Sequence, residues 1–248
     1  MDQRIRNEMV HGKKLAATAD RIWYWQTPAG KERWRRRASM LAFGIGNNAL
    51  VLEVGCGESS LASELKEKQA EIIAIDISLE LLKIAKENNA CDNINFVCSN
   101  AYKSALNSAT FDVVVGNSVL HHLNLDAALE EFYRVLKPDG AIFFAEPNML
   151  NPQIAVEKNV PFIKKMAHSS PDETAFIRWK LLDKLKQHGF KSIKIKNFDF
   201  LHPSIPKILV PFMKKVGYCL ESIPLIREIS GSLYIEARKP ITGSDLEM

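Results

Sequence analysis

The segment Val51-Leu-Glu-Val-Gly-Cys-Gly57 constrains this chain more than any other. A short apolar run leads directly into two glycines one residue apart, and an amphipathic stretch follows. A backbone free of side-chain bulk turns tightly at such a point and can approach a ligand closely, which is how the first strand-to-helix turn of a βαβ unit is built. The rest of the chain repeats the alternation. Residues 49–54, 71–76, 94–98, 111–116, 141–146, 192–197 and 232–237 are Val-, Ile- or Phe-rich runs of strand length. Amphipathic segments at 59–68, 79–88 and 127–136 fall between them, which predicts an α/β fold with a largely parallel sheet.

Punctuation sets the expected boundaries. Lys137-Pro-Asp-Gly140 is the expected stop of the helix over 127–136. Ser170-Pro171-Asp172-Glu173 has the form of a capping box with proline in the first turn, predicting a helix from there to Gly189. Three segments stand outside the alternation: 1–46, expected as an amino-terminal helical cap, and 148–169 and 198–231, expected as lids over a ligand pocket. All are assigned to a single domain spanning 1–248, since 248 residues with 46% hydrophobic content supply one large core.

A net charge of +4 demands no polyanionic partner. Four cysteines without C-x-x-C spacing fit a reducing compartment and give no zinc motif. The polar amino terminus lacks the apolar stretch of a secretory signal, so a cytoplasmic location is expected. Prolines and the Lys214-Lys215 pair interrupt the most apolar late segment, 205–225, making it too broken to span a bilayer. It reads first as a helix pair covering the pocket, and its mixture of Ile208, Phe212 and lysines also suits a helix lying on a membrane surface.

Asp76 closes the strand after the glycine turn, where a carboxylate can accept hydrogen bonds from both hydroxyls of a ribose. Gly55, Gly57 and Asp76 together specify a nucleoside ligand. A dinucleotide is disfavoured, because the third glycine of G-x-G-x-x-G is missing and Glu58 puts negative charge where a pyrophosphate would sit. Glu53 adds a carboxylate beside the loop, which suits a cationic or amine-bearing ligand.

With these residues in place, the chain resembles the class I S-adenosylmethionine-dependent methyltransferases, in the branch that includes ubiquinone and menaquinone methylases. Val51–Gly57 resembles the first motif and Asp76 the ribose-binding acid. Ser99-Asn100-Ala101 resembles the segment beside the adenine. Phe111 to Leu123, ending Asn-Ser-Val-Leu-His-His-Leu, resembles the fourth-strand motif, and Arg134 to Gly140 completes the series. The match covers about residues 48–147. It departs from the pattern at Ser59, where many members have glycine, and at Asn100, where Asp is usual.

The resemblance implies a Rossmann-like doubly wound sheet in the order 3-2-1-4-5-7-6, with the seventh strand antiparallel. It implies S-adenosylmethionine as cofactor, S-adenosylhomocysteine as product and no metal. Glu53, Gly55, Cys56, Gly57, Asp76, Ile77, Asn100, Ala101 and Asn117 make up the expected cofactor site. Tyr24 and Trp25 would fold over the sulfonium, and Arg33 would pair with the cofactor's carboxylate. His121 and His122 lie where the methyl group is expected and are the candidate bases for a hydroxyl acceptor.

Asn117-Ser-Val-Leu is not the Asn-Pro-Pro-aromatic pattern of amino-methylating nucleobase enzymes. A small-molecule acceptor is therefore expected, with an oxygen nucleophile on a sugar, polyketide, quinone or lipid intermediate. Two other readings compete. One is an RNA methyltransferase using the basic run Lys31–Arg37; the other is a nucleoside-binding module without turnover.

Overall fold

The computed structural model describes residues 3–22, 26–58, 61–89, 92–167 and 169–241. Two helices, α1 (Gln3–Ile22) and α2 (Pro28–Phe43), precede the sheet. The first half continues through β1 (Leu50–Val54), α3 (Ala62–Leu65), β2 (Glu71–Asp76), α4 (Leu79–Asn88), β3 (Ile94–Cys98), β4 (Phe111–Asn117), α5 (Leu125–Val135) and β5 (Leu136–Pro147). The second half holds α6 (Pro152–Asn159), α7 (Pro161–Met166), α8 (Arg178–Gln187), β6 (Lys191–Phe198), α9 (Val210–Ser222), α10 (Pro224–Arg227) and β7 (Ser232–Arg238).

All seven strands form one sheet in the order β3-β2-β1-β4-β5-β7-β6, and β7 runs antiparallel to both its neighbours. This is the expected doubly wound architecture. The two-residue period of the strands divides the core: Leu52, Val114, Ile142 and Phe144 meet α5 and α8 on one face. Val51, Val113, Val115 and Phe143 meet α2 and α3 on the other. Phe132 of α5 stacks on Phe144, ring centroids 5.6 Å apart, and both are buried. At the open edge β6 carries Lys191, Lys194 and Lys196, which discourage pairing with another strand.

Helix starts are set by side-chain caps. Thr27, Ser78 and Asn124 each accept a hydrogen bond from the first turn of the helix that follows, and Pro28 occupies the position where no amide hydrogen is needed.

Several expected boundaries move. After the glycine turn the α-helix spans only Ala62–Leu65, tightening to a 3-10 turn over Lys66–Lys68. Helix α5 ends at Val135, and β5 begins at once. Lys137–Gly140 forms a bulge inside the β4–β5 pairing, where Phe111 faces Leu136 but Val113 faces Ala141. The turn is held by the amide of Asp139 on the Lys239 carbonyl, 3.0 Å, and by Lys137 on Asp112, 2.7 Å.

Nor does a helix start at Ser170. The amide of Ser170 does donate to Glu173 at 2.9 Å, as a capping box requires, but the chain then extends. The Phe176 amide bonds the Pro147 carbonyl, and Phe176 bridges Asn148, so helix α8 starts only at Arg178.

Candidate active site

Beyond the carboxyl ends of the parallel strands lies one cavity of about 2290 Å³. At its floor Gly55 and Gly57 both take positive φ, +63° and +58°, which side-chain-bearing residues resist. A Cβ on Gly55 would come 2.3 Å from Val119 Cγ2, whereas a Cβ on Gly57 would meet nothing within 4 Å. Gly57 therefore leaves room for a bound group against its backbone.

Asp76 stabilises this turn from β2. Its Oδ2 accepts the Gly57 amide at 2.9 Å and its Oδ1 the Ser78 amide at 2.8 Å. Each oxygen keeps a second lone pair for a ribose hydroxyl. Burial pushes the Asp76 carboxyl up, against the pull of the Ser78 and Gly57 amides. Glu53 accepts the Leu61 amide, 3.1 and 3.3 Å, so its role is to fix the start of α3 as well as to line the cavity. Cys56 is buried between the glycines, and desolvation raises its thiol well above the ordinary range, which leaves it a packing residue rather than a nucleophile.

Ile77, Asn100 and Ala101 line the same cavity. Asn100 Oδ1 accepts the Tyr102 amide at 2.9 Å, an Asx turn that orients the loop after β3. Tyr24 and Trp25 lie outside the described residues.

At the end of β4, Asn117 and Ser118 face Arg37, whose Nη1 lies 3.5 Å from Asn117 Oδ1 and 3.1 Å from Ser118 Oγ. Arg37 is buried and shares Asp199 with Arg33, at 3.0 and 2.9 Å. Burial raises the Asp199 carboxyl, but the two guanidiniums outweigh it and hold the group below its ordinary value. Arg33 lines the cavity while bound to Asp199, so any pairing with a cofactor carboxylate would be shared with that residue.

Much of the basic run is paired within the fold. Arg36 makes a two-pronged pair with Glu221, 2.7 and 2.6 Å, and Arg35 reaches Glu32 at 3.0 Å. Three of its arginines thus fasten α2 to the rest of the fold, Arg36 to α9 and Arg33 and Arg37 to the loop after β6, while Lys31 and Arg35 stay exposed.

The two histidines diverge. Buried His121 places Nδ1 2.7 Å from Glu146 Oε2 and Nε2 3.5 Å from Glu173 Oε1. Desolvation opposes its protonation, yet the two carboxylates win and push its pKa up to about 9. With a carboxylate facing each ring nitrogen, His121 is oriented by the protein from both sides, the arrangement of a positioning residue, where the sequence reading had made it a candidate base. His122 also lines the cavity, with Nδ1 3.1 Å from Glu8 Oε2 on α1. Glu8 in turn contacts Ser170 Oγ.

Glu146 does more than hold His121. Fully buried at the end of β5, it accepts the Val119 and Leu120 amides, both at 2.9 Å, and so caps the 3-10 turn Leu120–His122. Glu173 binds Lys158 of α6, and its carboxyl lies far below the ordinary range because His121, His122 and Lys158 surround it. His121, His122 and Glu173 offer one donor atom each within 4.8 Å, a grouping that could hold a metal ion. Lys158 already brings a positive charge to Glu173 there.

The expected lids fare differently. From 148–169, residues of both α6 and α7 line the cavity, among them Ile154, Lys158 and Met166. From 198–231 only Asp199–Pro203 and Gly231 do so. Helix α9 instead packs along α2 through Arg36–Glu221 and Lys214–Glu32, so the helix pair over 205–225 does not cover the pocket.

Arg37, Asp199, Glu146, Glu173 and Glu8 were missed by the sequence argument. Glu173 had been named there only as a capping-box acid and Arg37 only as part of the basic run, and Glu146 left a trace as an acid at the end of the apolar run Ala141–Ala145.

The family described as "Methyltransferase domain" matches residues 52–144. The ubiquinone biosynthesis O-methyltransferase of Colwellia psychrerythraea is 31% identical over 160 residues, 60% of this chain and 64% of that protein. Among solved structures, a chain of the complex between the Haloferax volcanii Trm112 methyltransferase activator and a methyltransferase superposes with a TM-score of 0.68 at 16% identity. That match covers 96% of this chain and 98% of the other. Phosphoethanolamine N-methyltransferase 2 of Haemonchus contortus, solved with phosphomonomethylethanolamine and S-adenosylhomocysteine, gives a TM-score of 0.61 at 15% identity, covering 91% and 57%. At such identities the structures speak for the fold alone. The chain spans less than two thirds of the length of the curated relatives it matches.

Proposed function

We propose that the chain carries a class I S-adenosylmethionine-dependent methyltransferase domain and that it transfers the methyl group to an oxygen atom of a small-molecule acceptor. One observation carries the reading. A single cavity runs from the turn of Gly57 and Asp76, past Asn117, to the polar group of His122, Glu8 and Glu173. Its volume of about 2290 Å³ exceeds the ~300–1,000 Å³ typical of a site for one small ligand, so donor and acceptor fit together in it.

The residues present fit the donor. Asp76 would take the ribose hydroxyls, the backbone of Gly57 would lie along the nucleoside, and Asn100 and Ala101 would border the adenine. The bound sulfonium supplies an activated methyl and a neutral leaving group. An acceptor oxygen would take that methyl with loss of the neutral thioether, and its proton would need a base. His122, with Glu8 at its Nδ1, is the group we assign to take it. His121 is a positioning residue: its charged ring ties the 3-10 turn carrying His122 to Glu146 and to the Glu173 segment. Alignment of acceptor, methyl and sulfur supplies much of the rate in such a displacement.

A small acceptor is favoured over RNA because Arg33, Arg36 and Arg37 are all committed to internal carboxylates. Calorimetry with S-adenosylmethionine and S-adenosylhomocysteine is the direct test. Both should bind, Asp76→Ala should weaken them at least tenfold, and failure of either to bind the wild-type protein would end the reading. Release of S-adenosylhomocysteine over a panel of phenols, sugars and carboxylic acids then identifies the acceptor class.

A further inference from the structure

The longest stretch of exposed apolar surface lies away from the cavity floor, on the approach to α9 and on α9 and α10 themselves. Ile208 and Leu225 are each 86% exposed and Phe212 63%, with Leu209, Tyr218 and Ile223 also open. Burial alone would favour turning these residues inward, yet the inner side of α9 is made by Val210 and Gly217. The exposed positions 211, 212, 215, 218, 219 and 222 recur at three- and four-residue steps, so they share one helical face.

Charge on this surface has one sign. Between 204 and 229 the chain has two acids, Glu221 and Glu228, and each is paired with an arginine from elsewhere in the fold: Glu221 with Arg36 at 2.6 Å, Glu228 with Arg178 at 3.2 Å. Lys207, Lys215 and Arg227 are exposed among the apolar side chains, and Arg227 approaches Glu228 only to 3.8 Å. Exposed apolar groups interleaved with exposed basic side chains suit the boundary of an anionic bilayer: the apolar side chains enter the acyl region while the cationic groups stay with the headgroups.

We propose that this face docks the protein on an anionic lipid bilayer. The surface continues to the cavity rim. Phe200–Pro203, which line the cavity, lead directly into it, and His202 contacts Gln153 of α6 at 3.0 Å. Helices α6 and α7 border the same rim and expose Phe162 and Met166. Docking therefore brings the mouth of the cavity to the membrane, where an apolar acceptor would be dissolved.

Co-sedimentation with vesicles tests this. The protein should pellet with vesicles of phosphatidylcholine and phosphatidylglycerol in equal parts, stay in solution with phosphatidylcholine alone, and be released by salt. Each basic residue near such a surface is worth about fivefold in affinity, so the triple variant Lys207→Gln, Lys215→Gln, Arg227→Gln should bind roughly a hundredfold more weakly. Phe212→Asp with Leu225→Asp should not pellet at all. Circular dichroism and cofactor calorimetry on the variants confirm folding and keep this result separate from the methyl-transfer reading, which they test on its own. Wild-type protein that ignores the mixed vesicles, or variants that pellet like wild type, would overturn the proposal. So would self-association without lipid that Leu225→Asp abolishes, since a second copy would then cover the face.

Discussion

His121 Nδ1 lies 2.7 Å from Glu146 Oε2, both side chains are buried, and this pair joins the end of β5 to the turn that follows β4. The same carboxylate accepts the Val119 and Leu120 amides. Removing it leaves the buried His121 ring with Glu173 as its one remaining carboxylate and the Val119 and Leu120 amides without their acceptor. Glu146→Ala should therefore cost about 3–5 kcal/mol, the usual penalty for breaking a buried charge pair, measured as a lower urea midpoint. A loss below 1 kcal/mol would mean that the pair is not formed.

The pair also sets a pH dependence. His121 has its pKa raised from the ordinary 6.5 to about 9 in the folded protein. Its stabilising effect is complete below the unfolded value and disappears as pH rises through about 9. The loss is on the order of 3 kcal/mol between neutral pH and pH ~10. Urea titrations across that range should show the decline in the wild type and a much flatter profile in His121→Gln.

Replacing the two glycines of the loop should have different consequences. Gly55→Ala combines a positive φ with a Cβ 2.3 Å from Val119, so both stability and cofactor affinity should fall, and Val119→Ala should restore part of the loss. Gly57→Ala has open space ahead of its Cβ and should cost about 1 kcal/mol in stability, the strain of positive φ alone. Its main effect should be weaker cofactor binding, because the added methyl enters the space assigned to the ligand. Thermal melts with calorimetry separate the two.

Glu8→Gln tests the base assignment. It should leave cofactor affinity within about twofold while lowering kcat tenfold or more, the scale of one proton-transfer group. An unchanged kcat would remove Glu8 and His122 from the chemistry.

Asp199→Ala strips Arg33 and Arg37 of a shared partner and should destabilise by about 3–5 kcal/mol. No gain or loss of RNA binding should accompany it, which gel-shift titration at low salt would check.

Much of the architecture could be read before any coordinates, because strands buried on both faces leave unbroken apolar runs and a glycine turn between strand and helix leaves its own mark. Gly55, Gly57 and Asp76 were found in this way, Asn100 and Asn117 through the family resemblance, and all line the cavity. The errors have physical reasons. Ser170 and Glu173 make the expected local bond, but Glu173 is also claimed by Lys158 and His121, and the chain after it is drawn into pairing with β5. Arg33, Arg36 and Arg37 look like a surface charge run because their partners, Asp199 and Glu221, lie more than 160 residues away.

What the amino-acid sequence determined by itself was the glycine turn, the acid on the next strand and the alternation of elements, and with them a nucleoside as the expected ligand. Each depends on neighbours within one βαβ unit, so local pattern carries it. The tertiary structure decided which carboxylates surround His121, the pairing of the arginines and which face of α9 stays uncovered. Those depend on groups brought together from distant segments, and charge and burial act through distance in space rather than separation along the chain.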